Sequence, residues 1–176
     1  MIYFTMQNAF NTNSSIYISD MRIGGADTAS TATMCNTLGG ILGGICFGVL
    51  VSKTKQQIET VALAMSGAGF LLCFFLPSLI PILIGGAMVG FGFAVFNAAG
   101  TYLLSKSLRP ENNAFTASIY MAAINLGAAI SPMVVNPISS IFEGTTATRF
   151  LMTGIAIVIC AIISLITNII HSVSGN

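Results

Sequence analysis

The chain has 176 residues, 55% of them hydrophobic and only 6% charged, with a mean hydropathy of +0.89 and a formal net charge of +1. Six basic and five acidic side chains cannot cover a water-facing surface, since soluble domains carry roughly a quarter charged residues. A soluble fold is excluded, and so is a nucleic-acid partner, because no basic cluster exists to contact phosphates; the partner implied is the lipid bilayer.

Six segments reach the roughly 18–20 residues that a hydrocarbon core requires. They are 1–19, 27–52, 59–76, 79–105, 114–141 and 149–170. The expected fold is therefore an all-α integral membrane domain of six transmembrane helices over residues 1–176.

The first segment is the most polar. Gln7, Asn8, Asn11, Thr12, Ser14 and Ser15 share an arc of about 160° at 100° per residue, and Asn13 alone falls outside it. Met6, Ala9, Phe10, Ile16 and Tyr17 cover the other side. No basic stretch precedes it, so it does not read as a signal peptide. A helix this polar wants partners or water along one face.

Gly24-Gly25-Ala26-Asp27 leads into the second segment, which carries Gly39, Gly40, Gly43, Gly44 and Gly48. In water each glycine would cost the helix on the order of 1 kcal/mol relative to alanine. In a bilayer the backbone stays helical, and glycines at steps of four are expected to open a groove for a neighbouring helix. The segment ends at Ser52, Lys53 and Lys55.

Pro77 is expected to end the third segment, and Pro81 to sit in the first turn of the fourth. Residues 109–113 separate the fourth from the fifth, where Ser131-Pro132 and Asn136-Pro137 are expected to kink or end the helix. Cys35, Cys46, Cys73 and Cys160 stand singly in apolar segments, and His171 stands alone. They read as packed thiols and an isolated histidine, so no metal site is expected.

Lys53, Lys55, Lys106 and Arg109 share the N-terminal side of the membrane, against Arg22 and Arg149 on the other. The bias places both termini in the cytoplasm of a multi-pass cell-membrane protein.

The chain also repeats itself. Phe10-Asn11 aligns with Phe96-Asn97, Thr28-Ala29-Ser30 with Thr116-Ala117-Ser118, Leu38-Gly39 with Leu126-Gly127, and Cys73 with Cys160, at offsets of 86 to 88. Two three-helix units are implied, about 1–78 and 79–176. Because three is odd, the second enters the membrane from the opposite side, as in the inverted repeats of secondary transporters.

On these residues the chain resembles the C-terminal half of a major facilitator superfamily transporter. Phe47–Lys55 is similar to the family's loop signature, with Ser52 where an acid is expected and Lys55 where a glycine is. Pro110-Glu111, Asn125-Leu126-Gly127 and Pro132 resemble the pattern around its tenth and eleventh helices, with Asn113 in place of an arginine. The glycine-rich stretch 84–100 resembles its tenth helix. The resemblance implies that the first, second, fourth and fifth segments face a central cavity. In the family the loop's charges help latch the cytoplasmic side; Ser52 cannot supply one, which leaves Lys53 and Lys55 as topology determinants or gating residues.

No Asp, Glu, Lys or Arg falls in the middle of a span, so this chain offers no proton-coupling carboxylate. The candidate cavity lining is uncharged: Asn8, Asn11 and Ser15 on the first helix, Asn97 and Thr101 on the fourth, Asn125 on the fifth. Amides both donate and accept, which suits a polar or zwitterionic solute. The same residue types also join helices, at roughly 0.6–2 kcal/mol each, so contact with solute and inter-helix glue both stand as readings. Asn36 is expected to pack. With no nucleophile–base pair or phosphate loop, neither enzyme activity nor a cofactor is expected.

The expected function is transport of a small-molecule solute by alternating access, with this chain forming one wall of the pathway. The alternative is a non-transporting membrane subunit or channel element held together by polar and glycine-mediated packing. Since the chain starts within a helix whose polar face is unpartnered, a truncated or split product is expected, its partner an N-terminal six-helix half or a second copy.

Overall fold

The computed structural model describes residues 2–54, 57–107, 113–141 and 145–174. Lys55, Arg109 and the Pro110-Glu111 pair lie outside them. In chain order the elements are α1 (Ile2–Gln7), α2 (Ala9–Asp20), α3 (Ala26–Thr54), α4 (Ile58–Phe75), α5 (Leu79–Ser107), α6 (Asn113–Ile141) and α7 (Thr146–Ser174).

Five of these, α3 to α7, are long and apolar enough to cross a membrane. The first span is the exception, being polar and divided at Asn8. The division is slight. Asn8 keeps right-handed helical angles (φ −71°, ψ −12°); its N–H donates to the Phe4 carbonyl, and its carbonyl accepts from the Thr12 N–H, both at 3.1 Å. α1 and α2 therefore form one path through the bundle, making a six-helix membrane domain.

The helix ends follow local chemistry. α2 closes in a Schellman turn: the Arg22 N–H donates to the Ser19 carbonyl and the Ile23 N–H to that of Ile18, with Arg22 left-handed at φ 54°. Glycine usually holds that position, but Gly24 comes two residues too late. Leu76 is extended (φ −126°, ψ 77°) ahead of Pro77 and terminates α4. Pro81 sits in the first turn of α5, where its missing N–H breaks no helical bond. The Thr145 hydroxyl accepts from the Thr148 N–H at 3.3 Å and caps α7.

α5 is the centre of the packing, flanked by α3 and α4, while α4 also packs on α7 and α6 on α1. The two contacts of α5 run through glycine. A Cβ on Gly39 would overlap the Ala87 carbonyl, one on Gly90 the Asn36 carbonyl, and one on Gly43 would lie 2.6 Å from the Phe91 carbonyl oxygen. Across the α4–α5 seam, Gly69 and Gly85 would each place a Cβ 2.7 Å from the other's carbonyl oxygen.

The groove on α3 is narrower than the five glycines suggest. Gly40 is only in ordinary contact, 3.6 Å from the Gly90 carbonyl oxygen, and Gly44 and Gly48 have nothing within 4 Å of a Cβ. Steps of four residues drift by about 40°, so Gly44 and Gly48 have rotated roughly 140° and 180° from Gly39.

The core lies where the first span meets α4 and α7. Phe10, Tyr17, Phe70 and Phe150 are fully buried there, with Tyr17 stacked on Phe150 at 4.5 Å between centroids. Tyr17 donates its hydroxyl to the Cys73 carbonyl at 2.6 Å, and the buried Tyr3 and Ser66 hydroxyls pair at 2.9 Å. The polar arc of the first span divides accordingly. Gln7 and Ser14 turn inward, Asn11, Thr12 and Ser15 stay exposed, and Ile16, expected on the apolar side, is 48% exposed. The four cysteines are free thiols, buried at Cys73 and exposed at Cys46.

Candidate solute pathway

Three cavities follow one another along the face opposite α4 and α7. The smallest, about 110 Å³, lies among Phe4, Gln7, Asn8, Asn11, Phe93 and Ala128. The largest, about 560 Å³, is bounded by α3 and α5 with Met121 of α6, and includes Thr37, Asn97 and Thr101. Asn36 and Phe93 line both. Thr101 also lines a third, about 240 Å³, with Ser105, Asn113 and Thr116. All the lining comes from the first span, α3, α5 and α6, the four helices that the resemblance assigns to the cavity.

The side chains singled out from sequence therefore fall into two groups. Asn8 and Asn11 line the small cavity, and Asn97 and Thr101 the large one. Ser15 and Asn125 line none of the three; Asn125 is exposed and donates to the Met121 carbonyl of its own helix at 2.9 Å. Ser52 and Lys53 are exposed at the end of α3, where the Ser52 hydroxyl donates to the Val49 carbonyl at 2.8 Å.

The amides also hold the helices apart at fixed spacing. Gln7 donates Nε2–H to the Val89 carbonyl of α5 at 2.6 Å, and its neighbour Asn8 donates Nδ2–H to the Ala128 carbonyl of α6 at 3.0 Å. Two adjacent residues thus tie the first span to two different helices. Ala128 needs such a donor: its normal partner four residues on is Pro132, which has no N–H. Ser131 returns the contact, donating to the Thr5 carbonyl at 2.6 Å. Asn36 does both jobs weighed for such residues, donating to the Gly86 carbonyl at 3.0 Å while lining two cavities.

The other end of the first span is tied to α7. Arg149 donates to Asn13 Oδ1 at 2.9 Å, and the Thr146 hydroxyl donates to the Asp20 carboxylate. Asn13 is the residue that falls outside the polar arc, which is why it turns toward α7 and away from the cavities.

Three further side chains line the cavities: Gln7, 5% exposed on the polar arc; Asn36, which also makes the packing contact expected of it; and Asn113 at the start of α6. A proline four residues after Ala128 is the one local signal that an unpaired carbonyl, and hence a donor such as Asn8, belongs there.

Compared with known proteins, the chain matches the sequence model of the Major Facilitator Superfamily over residues 1–171. No curated protein and no solved structure gives a match.

Proposed function

The chain belongs to the Major Facilitator Superfamily, a family of transporters, and from that premise we propose that it forms the C-terminal wall of a solute pathway that works by alternating access. The observation carrying this reading is the string of three cavities lined only by the first span, α3, α5 and α6. Asn11 and Asn97 are its solute contacts, with Asn8 and Thr101 beside them. The string ends at Ser105 and Asn113, near Lys106 in the last turn of α5. That is the lysine-bearing side, which the charge bias makes cytoplasmic.

A second six-helix unit completes the pathway. α3 borders the largest cavity, yet only 11% of its most apolar stretch is buried, against 44% for α4. Ile41, which lines that cavity, and Ile45, one turn further on, are 55% and 72% exposed, and this face of α3 supplies the contact for the other half.

Cysteine labelling tests the reading. In membranes holding a variant without the four native cysteines, a cysteine at position 11 or 97 should react with a water-soluble maleimide. A cysteine at position 68, in the apolar α4–α7 groove, should not. Equal protection of all three positions would leave the amides as inter-helix glue and defeat the proposal.

A further inference from the structure

α7 lines none of the three cavities, yet it grips the helix that carries Asn11. Arg149 lies in the first turn of α7, inside the span Thr146–Ile170. Two local rules oppose a cation there. The N-terminal end of a helix dipole is already positive, and a charge within a span needs a partner. A residue that breaks such rules points to a function that offsets the cost.

Its partner is Asn13, 2% exposed, whose Oδ1 accepts from the guanidinium at 2.9 Å. A guanidinium can only donate, so the amide turns its oxygen toward α7 and its nitrogen back to its own helix. That nitrogen donates to the Ala9 carbonyl at 3.2 Å and to the Thr12 hydroxyl at 3.0 Å. Thr12 passes its own hydrogen to the Asn8 carbonyl at 3.2 Å or the Ala9 carbonyl at 3.4 Å. The chain of donors that starts on α7 therefore runs to Asn8, on the wall of the small cavity.

Asn11 and Asn13 stand about 200° apart around the helix. Drawing Asn13 onto α7 turns Asn11 away from α7, toward the cavity it lines. Asp20, on the same face as Asn13 two turns later, accepts from the Thr146 hydroxyl. The stack of Tyr17 on Phe150 selects which face turns inward, but ring faces can slide over one another. The two polar ties fix rotation and height.

Resting on the pathway reading above, we propose that Arg149 is a positioning residue: acting through Asn13, it fixes the rotation of α2 that presents Asn11 to the solute.

The test uses the full chain in nanodiscs, its four native cysteines replaced and a nitroxide attached at position 11 or 97. Arg149→Met should raise the ratio of mobile to ordered spectral component at position 11 about tenfold, as loss of one hydrogen bond to a charged group allows. Position 97 should not change. Asn13→Leu should act alike, and the double variant should add nothing. Arg149→Lys supplies the same N–H from an ammonium and should keep the parent spectrum, with Arg149→Gln falling between Lys and Met. If Arg149→Met does not fold, the order of parent, Lys and Gln decides. Equal changes at positions 11 and 97, or Lys as damaging as Met, would make Arg149 a residue of general stability and overturn the assignment. Maleimide reactivity of the parent at both positions reads the pathway separately: its absence would defeat that reading, while the spectra would still decide whether Arg149 sets the rotation of α2.

Discussion

The cavities are bounded by two helix seams of different construction. α3 and α5 meet backbone to backbone through Gly39, Gly43 and Gly90. The first span and α6 meet through Asn8, Ser131 and the carbonyl that Pro132 leaves open. In the inverted repeat read from sequence these seams are counterparts, the first helix of one unit against the second of the other. A glycine seam has no part that can adjust, because whatever fills it must move a backbone. An amide seam is held by side chains that can leave one carbonyl without displacing a helix. The first should fail all at once and the second in increments of a hydrogen bond.

Gly90→Val is the largest break in this contrast. Its Cβ would overlap the Asn36 carbonyl, backbone that cannot yield as a side chain tip would, and a loss of about 3 kcal/mol or more is expected. Unfolding in mixed micelles should shift accordingly, with loss of the monodisperse peak on gel filtration. Gly48→Val, with open space around its Cβ, should stay within about 0.5 kcal/mol of the parent. Equal damage at both positions would mean that glycine content, not the seam, governs stability.

The amide seam is sharpened by a double-mutant cycle. Asn8→Leu strands the Ala128 carbonyl and should cost about 1–2 kcal/mol. Pro132→Ala restores an N–H at the helical partner of that carbonyl. In that background Asn8→Leu should cost less than about 0.5 kcal/mol, a coupling near 1 kcal/mol by the same unfolding assay. Costs that simply add would show that Asn8 acts by filling space.

The two seams also differ in how far sequence discloses them. Composition and span length give the membrane fold, because hydrophobic thickness is one-dimensional and a linear pattern can meet it. Glycines at steps of four identify α3 as a packing helix, but not that the contact stops after Gly43, since the 40° drift matters only once the partner's position is known. Asn97 and Asn11 could be named from their matched repeat positions. Gln7 and Asn36 could not, because an amide's role depends on which carbonyl lies opposite. Ser15 and Asn125 show the reverse: polar residues on the right helices and near the right face that line none of the three cavities, because a linear pattern does not say how far along a helix a cavity extends.

The smallest effect lies at the joint between the seams, where α2 hands over to α3. Arg22 holds a left-handed conformation at φ 54°, which costs a residue with a Cβ about 1 kcal/mol and glycine almost nothing. The turn is kept because Ile18 is buried and Ile23 packs against the same core, the hydrophobic contact that accompanies a Schellman ending. Arg22→Gly should therefore stabilise the chain by up to about 1 kcal/mol. Arg22→Ala removes the same charge and keeps the Cβ, so it should gain nothing. If alanine stabilised as much as glycine, the gain would come from removing a cation at the membrane surface, and the turn would be no more strained than either seam it connects.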